Sequence, residues 1–488
     1  MTGNADHDAL YIGGAYVAPR GKGWLEVVSP ATEQVIGRAP AASVEDVDAA
    51  VAAARAAFDD GPWPRMPVAE RAEVMLRVAQ GIGKRREAIA QLITAEMGAP
   101  IAFSRVAQVS TALLEQYAAM ADGLFAPEQR RQGAFGGLVV RREPVGVAGL
   151  IIPWNAPLGL LLGKLAPALL VGCTTVVKAA PQTPLDSYFL AEACDEAGLP
   201  PGVVNIVAAD REVSERVVTH PGVDKISFTG STAAGRRIMS LCGDQVKRVT
   251  LELGGKSANI ICEDADLAAA IPLSLQGGML NNGEACIALT RVLAPRSRYD
   301  EVVEALAAGA AMLPVGDPFD ESTVIGPLVT EVARARVEGY IAAGRAAGAR
   351  VVSGGGRPAA LPTGWYVEPT VLADVDNSMT VAREEIFGPV LCVIPYDGVA
   401  EAVAIANDSP YGLCGAVWTS DVEKGVDIAR SVRTGTFNVN GFSYDTTAPF
   451  GGFKQSGIGR EWGAEGLDAY TESKTIMLPR PPVGEQGK

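Results

Sequence analysis

Apolar and polar positions along this chain alternate between a helical period and short extended runs. The stretch SVEDVDAAVAAARAAF places its apolar residues near one face of a helix, and Ser43 and Asp46 have capping-box spacing at its start. A second helical pattern, VAERAEVMLRVAQGIGKRREAIAQLITAEMG, is expected to continue to a Gly-Ala-Pro stop at Gly98.

Short β-rich runs follow these helices and have the length of buried strands. They are GVAGLII, TTVVKAA, GVVNIVAA, KISFTGS and VTLELGG, and helical stretches such as LGLLLGKLAPALLVG and AAGRRIMSLCG separate them. A second series starts near residue 256, with helices in RYDEVVEALAAGAAML and EVARARVEGYIAAGRAAGA. Strands that alternate with helices favour a largely parallel α/β sheet.

The most apolar region, residues 145–177, is interrupted by prolines, an asparagine and a lysine. A membrane span needs roughly 20 uninterrupted apolar residues, so this region is predicted to be a buried strand–loop–helix–strand. The end of the chain, LPRPPVGEQGK, is predicted to be a loose tail.

Composition narrows the possible partners and compartment. The 488 residues are enough for two or three domains, and the net charge of −14 disfavours nucleic acid and anionic membranes, which need a basic surface. The N-terminal MTGNADHDALYIGG has no basic head followed by an apolar core, so no secretory signal is expected. Seven cysteines without a C-x-x-C pair argue against disulfides and zinc, and we expect a cytoplasmic protein with reduced thiols and no metal site.

Histidine is too scarce to support a histidine-based active site. The chain has only His7, in an expected tail, and His220, in the turn-like THPGVD, so a general base is expected to be a carboxylate. Glu252 in VTLELGGKS is a candidate, because carboxylates are rarely buried between leucines. It is either on the solvent face of a strand or a base whose pKa is raised by apolar surroundings. A P-loop at GGKS is excluded, because Thr250 stands where that motif needs glycine.

Three further stretches carry candidate chemistry. Cys286 lies in the turn-prone NNGEACIALT, a weak signal alone, since an unpaired cysteine is more often buried and inert. Asn155, directly after the strand GVAGLII, could donate a hydrogen bond to an oxyanion without adding charge. In SFTGSTAAG, the backbone N–H groups of Ser231 and Thr232 could meet a phosphate at a helix start, although the stretch is not G-x-G-x-x-G.

Together these stretches resemble the aldehyde dehydrogenase superfamily, in its hydrolytic, non-acylating branch. The motifs PWN, VVK…TP, FTGST, LELGGK, NNGEACIALTR, EEIFGPV and PFGGFKQSGIGRE occur in that order, and the resemblance runs from about residue 10 to about residue 478. It implies an α/β fold with a Rossmann-like cofactor-binding domain (1–124 and 145–253) and a catalytic domain (254–455). A small β oligomerisation element with the C-terminal tail (125–144 and 456–488) would pair the strands GGLVVRREP and YTESKTIMLP.

The resemblance also implies roles for single residues. Cys286 matches the nucleophile, Glu252 the general base, Asn155 the oxyanion donor and Glu461 a carboxylate that relays protons. Lys178 and Ser231 match contacts to the adenosine ribose and the pyrophosphate, and Glu385 and Phe387 match contacts to the nicotinamide ribose and ring. The expected cofactor site is Ile151, Pro153, Trp154, Lys178, Gly230, Ser231, Gly254, Glu385 and Phe387. The expected substrate pocket is Ala156, Leu160, Leu280, Ile287 and Phe450.

The implied reaction oxidises an aldehyde to a carboxylic acid, with hydride transfer to NAD(P). Cys286 would form a thiohemiacetal and then a thioester, and water activated by Glu252 would hydrolyse the thioester. One alternative is the CoA-acylating branch, whose members usually lack the carboxylate at the position of Glu252. Another is a non-catalytic relative on the same fold, which should have lost the cysteine, the glutamate or Asn155, and all three are present.

Several positions depart from the family pattern. In AAPQTP, Pro181 replaces the glutamate that accepts the adenosine ribose hydroxyls, so NADP is possible, but this stretch has no arginine for the extra phosphate and NAD is the expected cofactor. Glu284 stands where glutamine is frequent, a change that the sequence leaves unexplained.

The substrate tunnel is expected to be wide and apolar. Ala156 and Gly163 stand where many relatives have aromatic residues, Leu158 is expected in the wall beside the pocket residues above, and Lys164 is the only cation of that helix for a substrate carboxylate. Bulky apolar aldehydes are therefore the expected substrates. An edge strand near the C-terminus predicts a homo-oligomer, a dimer or a homotetramer.

Overall fold

The computed structural model describes residues 5–123, 125–134 and 136–479. In this part of the chain the strands are β1 Leu10–Ile12, β2 Ala15–Val17, β3 Trp24–Val28, β4 Val35–Pro40, β5 Glu128–Gly133, β6 Gly136–Pro144, β7 Val147–Ile151, β8 Thr174–Ala179, β9 Val204–Ala208, β10 Lys225–Thr229, β11 Arg248–Glu252, β12 Ala258–Ile261, β13 Arg291–Pro295, β14 Arg350–Ser353, β15 Thr370–Ala373, β16 Val390–Tyr396, β17 Gly415–Trp418, β18 Asn438–Val439, β19 Gly457–Ile458 and β20 Thr471–Met477. The helices are α1 Val44–Asp59, α2 Val68–Lys84, α3 Arg86–Met97, α4 Ile101–Phe103, α5 Ala112–Ala119, α6 Pro157–Val171, α7 Ser187–Glu196, α8 Arg211–Thr219, α9 Thr232–Asp244, α10 Leu267–Met279, α11 Tyr299–Ala311, α12 Glu331–Ala346, α13 Thr380–Arg383, α14 Gly398–Asn407, α15 Val422–Ser431 and α16 Glu465–Asp468.

A mixed eight-stranded sheet forms the centre of the first half of the chain, in the order β19-β11-β10-β7-β8-β9-β1-β2. Its five central strands, β11, β10, β7, β8 and β9, are mutually parallel. At the edges the pairs β9–β1, β1–β2 and β11–β19 are antiparallel. Strands β7 to β10 are buried along their whole length, as expected where helices cover both faces of a parallel sheet.

A second, seven-stranded sheet has the order β14-β15-β16-β13-β12-β17-β18, and all its pairs except β14–β15 are parallel. A three-stranded antiparallel sheet joins β20 to β6 and β5, so GGLVVRREP and YTESKTIMLP lie side by side. Strand β19 joins the first sheet and not this one. The α/β fold class is confirmed, while the domain boundaries and the oligomerisation role of the small sheet stay predictions.

The carboxyl ends of the parallel strands bring the sequence motifs to one edge of the first sheet. Asn155 follows β7, Pro181 follows β8, Ser231 follows β10, and Glu252 is the last residue of β11. In open parallel sheets ligands bind in the crevice outside these ends. The fold therefore places the candidate residues around one crevice.

Two local predictions hold and two are wrong. Ser43 and Asp46 form the capping box, and Gly98 ends α3 in the left-handed conformation at φ 80°. The long helix breaks at Arg85, whose side chain turns to carboxylates on α7 at Glu192 and Glu196. His7 does not lie in a loose tail. Its amide donates to the Arg38 carbonyl at 2.9 Å and its ring stacks on Tyr188 with centroids 3.6 Å apart.

The remaining expectations about the chain as a whole concern membranes and the C-terminal tail. Within the described ranges no helix combines the length and the apolar character that crossing a membrane requires. From position 480 onward the predicted C-terminal tail lies outside the described residues.

Candidate active site

A turn with left-handed backbone conformation precedes Cys286. After α10 the chain passes through the 3-10 turn Leu280–Gly283, in which Asn281, Asn282 and Gly283 have φ values of 54°, 61° and 74°. Asparagine and glycine adopt this left-handed region more readily than other residues. A Cβ on Gly283 would overlap the backbone of Gly388, so glycine is required there.

Side-chain hydrogen bonds anchor this turn to distant segments. The Asn282 amide donates to the carbonyls of Gly98 and Pro327, both at 3.0 Å, and its oxygen accepts from the Gly326 amide at 2.7 Å. Glu284 is fully buried and accepts from the Val329 amide at 3.1 Å. The turn therefore holds a single position relative to both halves of the molecule.

The structure gives a physical account of Glu284. Burial raises the pKa of this carboxyl well above its usual value, which favours the neutral acid. A neutral carboxylic acid resembles glutamine in shape and in its ability to accept one hydrogen bond. Glutamate can therefore occupy a position where relatives often have glutamine.

Cys286 differs from the other cysteines in exposure. It is half-buried, whereas the other six are buried. Burial, together with the negative charges of Glu385 and Glu252, raises the pKa of its thiol. The resting residue is therefore a thiol, and a base must remove its proton before it can attack.

Glu252 has the surroundings of such a base. Its side chain is 3% exposed, and neither carboxyl oxygen has a hydrogen-bond partner among the described residues. Burial and the charge of Glu461 raise its pKa well above the usual value, and Lys164 and Arg460 oppose the shift. The solvent-face interpretation is wrong. The carboxyl is buried with its oxygens free to accept a proton.

Asn155 is held as a directed donor. Its side-chain nitrogen donates to the Glu284 carbonyl at 2.9 Å. Its own backbone carbonyl accepts from Gln108 at 3.0 Å and from Asn281 at 2.9 Å. Because an amide nitrogen carries two hydrogens, one remains for a ligand beside Cys286.

Lys164 and Glu461 form a buried ion pair whose charges act on Glu252. Lys164 donates from Nζ to Oε1 of Glu461, and the Ser227 hydroxyl donates to the same oxygen at 2.9 Å. The Lys164 side chain is 0% exposed, so this cation does not face the substrate cavity as its sequence position suggested. It neutralises Glu461 instead.

A cleft of about 350 Å³ lies at the carboxyl edge of the first sheet. It is lined by six of the expected cofactor residues: Ile151, Pro153, Trp154, Lys178, Gly230 and Ser231. Ser231 caps α9 by accepting from the Ala234 amide at 3.3 Å, and the start of such a helix attracts phosphate. Burial lowers the pKa of Lys178 to about 8. These residues fit a dinucleotide.

The same cleft contains charges that the sequence pattern did not reveal. Arg211 and Arg237 line it together with Asp210 and Glu215, and Arg237 forms a 3.1 Å ion pair with Glu215. The stretch AAPQTP itself has no arginine, but the fold brings Arg211 and Arg237 into the cleft from other segments.

The other three expected cofactor residues, Gly254, Glu385 and Phe387, do not line that cleft. Glu385 accepts from the Gly255 amide at 3.1 Å, and a Cβ on Gly254 would come within 2.7 Å of its carboxyl. Burial raises the pKa of Glu385 to about 7. The ring of Phe387 meets Trp154 edge-on with centroids 5.5 Å apart, which links this group to the cleft.

A second cavity of about 250 Å³ opens onto Cys286 and Asn155. All five expected pocket residues line it: Ala156, Leu160, Leu280, Ile287 and Phe450. Most of the further lining is apolar or aromatic and was not foreseen: Phe103, Val106, Leu113, Tyr444 and Trp462. Among the described residues that line it, none is charged.

Two predictions about this cavity are wrong. Leu158 is 0% exposed and packs into the hydrophobic core, so it is not part of the wall. Gly163 does not widen the cavity, because the indole of Trp462 fills the space beside it.

The family model described as "Aldehyde dehydrogenase family" matches residues 16–476. The chain belongs to this family. It is an NAD(P)-dependent oxidoreductase that acts on aldehydes, and the predicted enzyme class is confirmed.

Relatives of this aldehyde dehydrogenase align over nearly the whole chain. It is 47% identical to geranial dehydrogenase of Castellaniella defragrans, covering 97% of this chain and 99% of that protein. The Mycobacterium tuberculosis aldehyde dehydrogenase complexed with NAD+ has a TM-score of 0.96 and 49% identity, with 98% and 99% coverage. A mutant Pseudomonas syringae aldehyde dehydrogenase with NAD+ and octanal has a TM-score of 0.93 and 42% identity, with 96% coverage of both chains.

Other residues of this aldehyde dehydrogenase site gave no usable signal in the sequence. Gln108 holds the backbone of Asn155 from a π-helical segment, Ser104–Gln108, that no periodicity indicates. Ser227 lies on a strand whose pattern predicts burial only. No cluster of three or more metal-ligating side chains occurs in the part of the chain that the structure describes.

Proposed function

We propose that this aldehyde dehydrogenase oxidises bulky apolar aldehydes to carboxylic acids with NAD, through a thioester on Cys286. One observation carries the proposal. An uncharged, largely apolar cavity ends at a half-buried thiol whose pKa is raised by two nearby carboxylates, Glu252 and Glu385, in addition to burial.

In the acylation step, Glu252 takes the thiol proton, directly or through a water molecule. The sulfur then forms a bond to the aldehyde carbon, and the carbonyl π electrons move to oxygen. The free N–H of Asn155 and the backbone N–H of Cys286 stabilise this oxyanion, a contribution worth roughly 2.7–4 kcal/mol for one donor. The product is a thiohemiacetal.

Bound NAD(P) supplies the acceptor for the hydride that leaves the thiohemiacetal carbon. Lys178 and Ser231, which line the cofactor cleft, would hold the adenosine ribose and the pyrophosphate. Glu385, whose charge acts on the Cys286 thiol, and Phe387, in contact with Trp154, would position the nicotinamide ribose and ring. Loss of the hydride leaves a thioester.

Hydrolysis of the thioester returns the enzyme to its starting state. Glu252 first passes on the proton that it took from the thiol, and the free carboxylate then removes a proton from water. The water oxygen attacks the thioester carbon, the C–S bond breaks, and the leaving thiolate takes its proton back from Glu252. In this proposal Glu461, which pairs with Lys164 and whose charge raises the pKa of Glu252, receives the proton that Glu252 passes on. A CoA-acylating enzyme would not need this buried base.

The balance of charge in the cofactor cleft supports NAD over NADP. Pro181 cannot repel a 2′-phosphate as glutamate would, and Arg211 could attract one. Asp210 and Glu215 line the same cleft, however, and Glu215 already neutralises Arg237. With Lys178 counted, the cleft has three cations against two carboxylates, an excess too small for the cluster of positive donors that selection of NADP normally requires.

The lining of the cavity supports apolar substrates. Each methylene that it buries adds about 0.8 kcal/mol of binding, and a substrate carboxylate would lose hydration without meeting a cation. Geranial and octanal, named for a relative and for a structural neighbour, are apolar aldehydes of this kind.

A substrate panel tests the proposal. Formation of NADH is followed with octanal, benzaldehyde and succinate semialdehyde, and the acid product is identified by mass spectrometry without added CoA. We expect octanal and benzaldehyde to have the higher kcat/KM and the free acid to form. A higher kcat/KM for succinate semialdehyde would contradict the substrate class, and a strict need for CoA would favour the acylating branch.

We also propose that the protein is a cytoplasmic homo-oligomer, a dimer or tetramer. Strand β20 is exposed along nearly all its length at the edge of the small sheet, and such an edge is readily covered by another subunit. Seven free cysteines suit a reducing compartment. Sedimentation velocity of the full chain tests the assembly, since a monomer at micromolar concentration would contradict it.

A further inference from the structure

Gly163 and Trp462 share one space. A Cβ on Gly163 would lie 2.8 Å from Nε1 and 3.4 Å from Cδ1 of Trp462. The first distance is shorter than real Cβ contacts allow, so the indole occupies the volume that a side chain at position 163 would fill. The aromatic ring that packs against helix α6 at this point therefore belongs to Trp462, in a loop near the C-terminus.

The indole belongs to an aromatic wall of the substrate cavity. It stacks on Phe450, with centroids 4.5 Å apart and planes 29° apart, and it tilts against Tyr444 at 5.8 Å. All three rings line the cavity. Trp462 has a left-handed backbone, φ 60°, which is rare for a bulky residue, so the surrounding structure holds it in place.

We propose that Trp462, admitted by Gly163, is a specificity-determining residue that makes the cavity select aldehydes with flat, unsaturated tails. This inference rests on the proposed function and narrows its substrate class. Aromatic faces in offset contact gain stability beyond the area they bury, equivalent to about 2- to 12-fold in affinity. A puckered saturated tail of the same length gains only the binding free energy that comes from burying its apolar surface.

Two substrates that differ only in the flatness of the ring test the inference. 3-Phenylpropanal and 3-cyclohexylpropanal carry the ring on the same propanal chain, and kcat/KM is measured for each with NAD. We expect the wild-type protein to prefer the phenyl compound by about 2- to 12-fold, mainly through KM. Trp462→Leu should reduce this ratio towards one, and Trp462→Phe should retain most of it.

The ratio of the two kcat/KM values distinguishes a loss of substrate specificity from a loss of proton transfer by the neighbouring Glu461. A loss of proton transfer would lower kcat for both aldehydes equally and leave the ratio unchanged. Active wild-type and Trp462→Leu proteins with the same ratio would therefore overturn this inference alone. A wild-type protein that reduces NAD with neither aldehyde would overturn the proposed function, and this inference with it.

A glycine substitution tests the shared space independently. Gly163→Ala should push the indole into the cavity and raise KM for both aldehydes, and Gly163→Ala combined with Trp462→Leu should reverse this rise. Gly339→Ala is the matched control, because Gly339 is also helical and a Cβ added there would have nothing within 4 Å. Wild-type KM values in Gly163→Ala would overturn the steric link between the two residues.

Discussion

A Cβ on Gly255 would overlap the carbonyl oxygen of Cys286. The Gly255 amide also donates to Glu385 at 3.1 Å. The glycine therefore lies directly between the backbone of the candidate nucleophile and a carboxylate assigned to the cofactor. Only glycine at position 255 lets its backbone approach the Cys286 carbonyl oxygen this closely.

Gly255→Ala is expected to lower kcat about 100-fold, because a displacement near 1 Å at a reacting atom costs this much. The added methyl must push the Cys286 backbone away from its position. Initial rates with octanal and NAD measure the effect. Gly243→Ala, at a helical glycine with nothing within 4 Å, is the control. Normal turnover in Gly255→Ala would show that the nucleophile is not held by this contact.

Cys286→Ala is expected to abolish NADH formation while NAD still binds, because the cleft at Lys178 and Ser231 is untouched. Activity assays and calorimetric titration with NAD measure the two properties. Cys242→Ala, which removes a buried thiol of α9, should remain active. Residual turnover equal to wild type would end the assignment of Cys286.

Glu252→Gln is expected to slow thioester hydrolysis, so that an acyl-enzyme accumulates and is seen by intact-protein mass spectrometry. In the wild-type protein the base must be ionised, and the pKa of Glu252 is raised above its usual value. Deacylation should therefore rise with pH through a value above 4.5 and fall as the carboxyl is protonated. The Gln variant should lack this titration. An unchanged pH profile would count against Glu252 as the base.

Lys164→Met is expected to lower the free energy of unfolding by about 3–5 kcal/mol, because Glu461 would remain buried without its ionic partner. Adding Glu461→Gln should recover part of this loss. Denaturant unfolding followed by fluorescence measures both variants. Arg430→Met, which breaks an exposed pair with Asp427, is the control and should change stability little. Equal effects of the two single variants would mean that burial adds nothing to the Lys164 pair.

Pro181→Glu is expected to sharpen the preference for NAD, chiefly by raising KM for NADP. A carboxylate there would accept the ribose hydroxyls of NAD and repel the 2′-phosphate. Steady-state kinetics with both cofactors gives the two kcat/KM values, and Pro181→Gln separates charge from size. A wild-type protein with higher kcat/KM for NADP would refute the preference itself.

The local pattern of the chain was enough to foresee the five parallel strands of the first sheet and the residues at their ends, but none of the strands of the seven-stranded sheet. Asn155, Ser231 and Glu252 each follow or end an apolar run, and parallel strands bring such ends to one edge. The same pattern could not show which residue would pair with a buried charge. Lys164 and Glu461 are 297 positions apart, and no periodicity joins them.

The sequence also could not show which side chain would fill the space beside Gly163. Gly163 suggested open space because a missing side chain leaves a gap in its own helix. The gap is filled by Trp462, from a loop that packs only in the finished fold. The break at Arg85 was also missed, and the carboxylates that Arg85 contacts lie on α7, 107 and 111 positions away.

The anchoring of Asn282 has a consequence for the order in which the protein is made. Its amide binds carbonyls 184 positions earlier and 45 positions later in the chain. A nascent chain on the ribosome exposes the thiol of Cys286 before the second of these anchors has been synthesised, and long before Glu461 emerges. Domains fold as units during synthesis, N-terminal first. Catalytic activity therefore waits for the later segments, and an incomplete chain carries an exposed thiol without the folded site that raises its pKa.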